Sequence, residues 1–411
     1  MKKIDIIGIG VGSPSFFTQN TIKSVNNADC LIGAGRMLRE FSHMEKEKFE
    51  SIDLREIYNY IINSDYKYFG VLVSGDTGFY SLSKKLTESL LKNGDIEVAN
   101  IPAISSLQYF CSKLNLPWDN IKLLSSHGRT ANIVSEVMFN KKIFMITDDS
   151  SSPDKICEIL CSKGLGHLKV SVGENLSYSN EKIIEATACE IAKMKFEKLN
   201  VIIIHNDSCL DKDVWLRPIR DEEFITGRTP MTKSEVRMVS IGKLNLKSNS
   251  TVYDIGGGTG SVSVEIALKL HEGQVFSIEK NKDAVSLIKK NIKKFKAFNI
   301  QVVEAEAPGC LHDLPAPDCV FIGGSGGSMD KIINAVLQKN PQVNIVINTI
   351  ALQSLNEAVI CVKKYKLNNV EIINMSISKA KKAGTYDLMT AQNPIYIISG
   401  KGSGYLPPDE S

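Results

Sequence analysis

Along the whole chain, short apolar runs alternate with stretches whose apolar residues recur every three or four positions. The runs are three to six residues long and most are followed by glycine or a polar residue, which reads as buried strands separated by amphipathic helices. In the first half the pattern predicts strands at Ile4–Ile9, Phe69–Val73, Ile96–Val98, Ile143–Ile146 and Val201–Ile204. It predicts helices at Ser81–Leu91, Ser105–Leu114 and Pro153–Cys161. In the second half strands fall at Thr251–Ile255, Gln274–Ile278, Gln301–Val303, Cys319–Ile322, Asn344–Ile347 and Ile395–Ile398, with helices between them. Such alternation is the signature of α/β architecture. After the apolar run NVIIIH the text turns polar and charged, NDSCLDKDVWLRPIRDEEFITGR, before a new series begins. The expected organisation is a domain over 1–206, a linker over 207–228 and a second domain over 229–411.

Composition narrows this picture only a little. With 411 residues and 43% hydrophobic positions, two domains with real cores are affordable in length. The net charge of +3 gives no footprint for nucleic acid, and the run KKNIKKFK reads as a solvated helix face. Nine cysteines are scattered without a CxxC pair, and Cys157 and Cys161 stand one helical turn apart with no histidine cluster nearby. They read as reduced packing residues, and no metal site is expected. The opening MKKIDIIGIGVG is broken by Asp5 and by glycines, too short an apolar run for a signal sequence. No window reaches the length of a membrane span. A cytoplasmic location without membrane contact is the expectation.

The chemistry is concentrated in two glycine-rich turns. The second, VYDIGGGTGSVSVEIA, puts Gly256, Gly257, Gly258, Thr259 and Gly260 between a strand and a helix, where the backbone turns sharply and a ligand comes close. A dinucleotide fingerprint GxGxxG would need glycine at 261, which is Ser261. Asp254, two residues before the first glycine, would repel a pyrophosphate and attract a cation. S-adenosylmethionine carries a sulfonium and an ammonium but no phosphate, so it suits this turn better. Glu279 closes the next strand, where an acid accepts ribose hydroxyls. Glu306 and Ala307 follow the third strand, at the expected edge of an adenine. The three positions in register predict a Rossmann-like methyltransferase domain. After the fourth strand comes FIGGSGGSMD. Gly323, Gly324, Gly326 and Gly327 there either open space and backbone N–H groups to a large flat substrate or let a helix pack closely.

TPMTKSEVR at 229–237, DIGGGTGSVSVEIA, VFIGGSGG and AKKAGTYDLMTAQNPIYIIS together resemble the decarboxylating precorrin methyltransferases that modify ring position 15. The resemblance runs over nearly all of 229–400. It implies that Thr232, the turn 256–260, Glu279 and Ala307 contact the cofactor. Members of that family often have cysteine or another small residue at the place of Gly257 and aspartate at that of Glu279.

The first turn, IIGIGVGSPS, carries Gly8, Gly10 and Gly12 without an acid before it and is ambiguous among nucleotide folds by itself. VLVSGDTGFYS adds Gly75 and Asp76, and IPAISSLQYF adds Ser105 and Ser106, each at a strand end before a helix. Asp76 suits a cation; the serines suit either a ligand or a helix cap. With WDNIKLLSSHGR and SVGENLSYSNEKI these segments resemble the tetrapyrrole methylases, in particular those acting at ring position 5, over about 2–206. The chain departs from that pattern at Val11, at Thr77 where proline is usual, and at Ala103 where glycine is usual. The implied fold is a tetrapyrrole methylase domain of two α/β subdomains fused to a Rossmann-like class I methyltransferase domain. The implied partners are S-adenosylmethionine, one site per domain, a precorrin or cobalt-precorrin ring, and further copies of the same chain. No Ser–His–Asp or Cys–His constellation is present. His127 and Lys233 are the polar candidates for acid–base work, or for substrate orientation. Rival readings are an RNA or small-molecule methyltransferase, a binding-only regulator, and a dinucleotide oxidoreductase.

Overall fold

The computed structural model describes residues 1–125, 132–213 and 217–405. The chain divides into two compact units. Among the described residues the first holds ten strands in two five-stranded sheets. One is wholly parallel, built from β1 (Lys2–Gly8), β2 (Cys30–Gly33), β3 (Glu47–Glu50), β4 (Tyr68–Val73) and β5 (Ile96–Ile101) in the order β3-β2-β4-β1-β5. β4 lies at its centre with β1 beside it, and Ile4, Ile6 and Ile7 of β1 are fully buried because helices cover both faces of a parallel sheet. The other is mixed, built from β6 (Lys122–Ser125), β7 (Lys142–Ile146), β8 (Lys169–Glu174), β9 (Lys182–Thr187) and β10 (Asn200–His205) in the order β6-β7-β10-β8-β9, with only β6 and β7 parallel.

The second unit is one seven-stranded sheet: β11 (Thr251–Ile255), β12 (Gln274–Glu279), β13 (Ile300–Glu304), β14 (Cys319–Ile322), β15 (Asn344–Thr349), β16 (Asn368–Met375) and β19 (Ile395–Lys401). Its order is β13-β12-β11-β14-β15-β19-β16, with β19 antiparallel to both neighbours. The chain leaves β11 to one side through β12 and β13 and to the other through β14 and β15. A crevice therefore opens outside the carboxyl ends of β11 and β14, the place where ligands bind in open α/β sheets. A separate hairpin, β17 (Ser378–Ala383) and β18 (Tyr386–Ala391), is exposed along its full length.

Two features differ from the expected organisation. The stretch 207–228 is no bare linker: Ile219 and Phe224 are buried in the core of the second unit, and the Phe224 ring packs tilted on that of Phe295, with centroids 4.9 Å apart. Helix Ile133–Phe139, although it falls inside the first half of the sequence, also belongs to the second unit. There Ser135 Oγ donates to the Leu270 carbonyl at 2.7 Å, Asn132 Nδ2 donates to that of Gly273 at 2.9 Å, and Phe139 packs on His271. Apolar burial and satisfied backbone carbonyls, not chain order, set the unit boundary.

Candidate functional site

In the second unit the turn after β11 is tied down by its own backbone. Gly256 N and Gly257 N both donate to the Ile278 carbonyl, at 3.0 and 3.1 Å, and Gly260 N donates to Gly257 O at 2.8 Å. Gly258 N goes to Glu279 Oε2 at 2.9 Å. These N–H groups are already occupied, so the turn is poorly equipped to cradle a phosphate. Gly256 has φ +78°, and a Cβ there would lie 2.8 Å from Gly324 N and 2.9 Å from Gly324 O. The turns after β11 and β14 thus touch backbone to backbone at the crevice.

Around this contact lies a cavity of about 780 Å³. Its walls bring together Thr232, Lys233, Asp254, Gly256, Gly257, Gly258, Thr259, Glu279, Glu306, Ala307, Gly323, Gly324 and Gly326. Gly260 stands behind the wall, where a Cβ would meet Ile288 at 3.2 Å, and Gly327 is not part of the lining. Gly323 N and Gly324 N both donate to the Ile255 carbonyl, at 2.9 and 3.3 Å, which removes them as donors to a substrate. Lys233 precedes helix Ser234–Lys243 and is exposed. His127 lies outside the described residues.

Charge in the cavity is arranged unevenly. Asp254 is 1% exposed; its Oδ2 accepts from Ser263 Oγ, and its Oδ1 has no partner. Burial pushes the Asp254 carboxyl up to about 6, against the pull of the Ser263 hydrogen bonds, and Glu279 adds to the rise. Glu279 accepts from Gly258 N on one oxygen and from Asn281 N on the other, at 2.8 Å, which fixes the carboxylate plane at the lip of the cavity. Glu306 pairs with Lys280 at 2.6 Å in the open. Besides the carboxylate oxygen Asp254 Oδ1, two buried hydroxyls of the lining have no partner: Thr259 Oγ1 and Thr349 Oγ1. Buried polar atoms are nearly always satisfied; of the six such atoms without a partner among the described residues, these three border the cavity, and Asp5 Oδ1, Thr87 Oγ1 and Asn299 Oδ1 lie elsewhere. An ammonium beside Asp254 and Thr259, and ribose hydroxyls beside Glu279, fit the chemistry of these atoms.

The Thr229–Lys233 wall is held from behind by Arg237. Its guanidinium is fully buried and donates to the Thr232 carbonyl at 2.6 Å, to Glu265 Oε2 at 2.6 Å and to Asp221 Oδ1 at 3.2 Å. Sequence reasoning did not single out Arg237, nor Asn348, Thr349, Gln392 and Asn393, which complete the cavity beyond β15. One signal was available: Glu265 sits in SVSVEIA, a helix buried at every position, and such an acid needs a cation.

In the first unit the predicted residues also converge, but on one another. Gly10 N donates to Gly75 O at 3.2 Å and Gly75 N returns the bond to Gly10 O at 2.8 Å, stapling the turns after β1 and β4. Gly8 is buried beneath them, with no room for a Cβ, which would lie 2.8 Å from Gly75 O and 3.0 Å from the Ala103 methyl. Ala103 keeps φ outside the positive region, so the alanine found where glycine is usual brings no backbone strain. Asp76 accepts from Gly78 N at 2.8 Å and Ala103 N at 3.0 Å, joining two loops. Ser105 caps helix Ser106–Lys113 in a capping box with Gln108, and Ser106 is the first residue of that helix. Gly12, at φ +109°, lies against Tyr178 of the SVGENLSYSNEKI segment, whose Ser177 bonds Val11 O and Ser13 N.

Among the described residues no group of three or more His, Cys, Asp or Glu could hold a metal ion, and no helix is long and apolar enough to cross a membrane. The model of the precorrin methyltransferase domain matches residues 223–401, and that of the tetrapyrrole (corrin/porphyrin) methylases matches residues 3–192. A precorrin-6Y C(5,15)-methyltransferase [decarboxylating] of a Sinorhizobium species is 30% identical over 272 residues, 65% of this chain and 64% of that protein. The chain thus spans just under two thirds of that relative. A probable cobalt-precorrin-6B C(15)-methyltransferase (decarboxylating) of Sulfurisphaera tokodaii is 39% identical over 188 residues, 44% of this chain and 96% of that protein. A solved precorrin-6y C5,15-methyltransferase from Geobacter metallireducens GS-15 is 40% identical, covers 44% of this chain and 95% of its own, and superposes with a TM-score of 0.42.

Proposed function

Because the chain belongs to the family of decarboxylating precorrin methyltransferases, we propose that it methylates a precorrin or cobalt-precorrin ring at positions 5 and 15 and removes carbon dioxide from the acetate at ring position 12. The first unit is assigned position 5. The second is assigned position 15 and the decarboxylation. The observation that carries this reading is the second-unit cavity, where Asp254 and Glu279 offer carboxylates and the glycine turn offers no free phosphate cradle.

The methyl donor, S-adenosylmethionine, supplies an electrophilic methyl group. In the second unit Asp254 and Thr259 hold its ammonium end, Glu279 its ribose, and the Glu306–Ala307 edge its base. The first unit uses a second site at the stapled turns Gly8–Gly12 and Gly75–Asp76. The meso carbons of the ring are electron-rich nucleophiles, so alignment and exclusion of water supply most of what the chain must do. For decarboxylation the C–C bond of the acetate breaks, its electron pair passes into the conjugated ring, carbon dioxide leaves, and a proton is later added to carbon. Lys233, exposed at the cavity wall, is assigned to substrate orientation.

The test is to incubate the chain with S-adenosylmethionine and a precorrin-6-type ring, with and without cobalt, and to weigh the product. Two added methyl groups with one lost carboxyl group are expected in one of the two ring forms. An unchanged mass in both would overturn the reading.

A further inference from the structure

The orphan hydroxyl of Thr349 is not accounted for by the cofactor assigned above. Strand register places it. Ile255 of β11 pairs Ile322 of β14, and Ile322 pairs Ile347 of β15, so Thr349 lies two residues beyond that level. Glu279 lies one residue beyond the same level on β12, on the other side of β11. Three inter-strand spacings therefore separate Glu279 from Thr349, roughly 14 Å. A donor running from the β11 turn through Glu279 toward Glu306 on the β13 side leads away from β15. The half of the cavity over β14 and β15 is left for the other reactant.

Thr349 is 4% exposed and lines that half, with an oxygen that finds no partner. The strand end that carries it is fixed: the Asn348 side chain bonds Ser240 Oγ at 2.9 Å, which ties β15 to helix Ser234–Lys243. Thr349 itself pairs Tyr396 across β19. A rigidly mounted, desolvated hydroxyl is a good donor to a charged acceptor. The reaction requires at least one carboxylate on the substrate. A neutral hydroxyl can orient it without the strong ground-state stabilisation that a cation would bring, which would oppose loss of carbon dioxide.

We propose that Thr349 is a substrate-specificity residue of the second unit, whose hydroxyl donates to a carboxylate of the tetrapyrrole ring. This rests on the functional reading above. The test is steady-state kinetics of the Thr349→Val and Thr349→Ser chains with precorrin-6B and with cobalt-precorrin-6B, alongside calorimetric titration with S-adenosylhomocysteine. Loss of a hydrogen bond to a charged group predicts a KM for the ring raised roughly ten- to hundred-fold in the valine variant. The affinity for S-adenosylhomocysteine is expected to stay within about twofold of wild type, and the serine variant to restore the KM. An unchanged KM in the valine variant overturns the assignment, as does an equal loss of cofactor affinity or a serine variant that fails to restore binding. If the wild-type chain itself neither binds nor turns over the ring, the functional reading fails and this assignment with it.

Discussion

Replacing Asp254 by asparagine separates what this carboxylate does for ligand from what it does to the fold. The carboxyl titrates at about 6 when buried, against a reference of 3.8. Between those values the native chain binds more protons than the unfolded one, so stability falls as pH rises through this window and stays low above it. A shift of about two units corresponds to about 3 kcal/mol at pH 8. The amide keeps an acceptor for Ser263 but presents its own N–H2 where Oδ1 now lacks a partner, which offsets part of the gain. Asp254→Asn is therefore expected to stabilise the ligand-free chain by about 1–3 kcal/mol at pH 8, a few degrees in Tm, and by little at pH 4. On the proposed assignment, the same change removes the anion that would face the ammonium of the cofactor. S-adenosylhomocysteine should bind at least about tenfold more weakly at pH 8, and wild-type affinity should itself decline as pH falls below about 6. Thermal denaturation at the two pH values and calorimetric titration read both effects. A variant that is no more stable at pH 8, or that binds the ligand as tightly as wild type, would refute the reasoning.

Three further substitutions probe other parts of the account. Gly256→Ala puts a methyl 2.8–2.9 Å from the Gly324 backbone at φ +78°; mass spectrometry of the product should show position-15 methylation and carbon dioxide loss abolished, with position-5 methylation retained. Gly12→Ala, whose Cβ would overlap the Tyr178 ring at φ +109°, should do the reverse, removing the position-5 methyl alone. Arg237→Met strands the buried Glu265 carboxylate without its cation; denaturant titration should show a loss of about 3–5 kcal/mol, and the Thr232 wall should become accessible to proteolysis.

The strands that line the cavity were legible because each is a short apolar run closed by glycine or a polar residue, among them Gly256, Glu279, Gly323 and Asn348. Thr251–Ile255 and Cys319–Ile322 match the expected limits residue for residue. Cys30–Gly33, buried at all four positions, was not among the expected strands. The hairpin β17–β18 was missed because SKAKKA is exposed at every position and is held by cross-strand pairing, not by an apolar face. Spacing had singled out the acids and glycines that line the second-unit cavity. Asp76 and Ser105 fit loop-holding and capping in the structure, roles a spacing argument cannot tell from ligand contact. Thr349 could not be read at all, because an orphan hydroxyl exists only once the sheet is assembled; Arg237 was signalled only indirectly by Glu265, its partner 28 residues away.

The central claim is that one chain carries two methyl-donor sites on two unrelated folds. Calorimetric titration of the full-length protein with S-adenosylhomocysteine counts them directly. Two equivalents per chain are expected, falling to one in Gly256→Ala and to one in Gly12→Ala. A wild-type stoichiometry of one, or a single substitution that removes all binding from a folded chain, would contradict it.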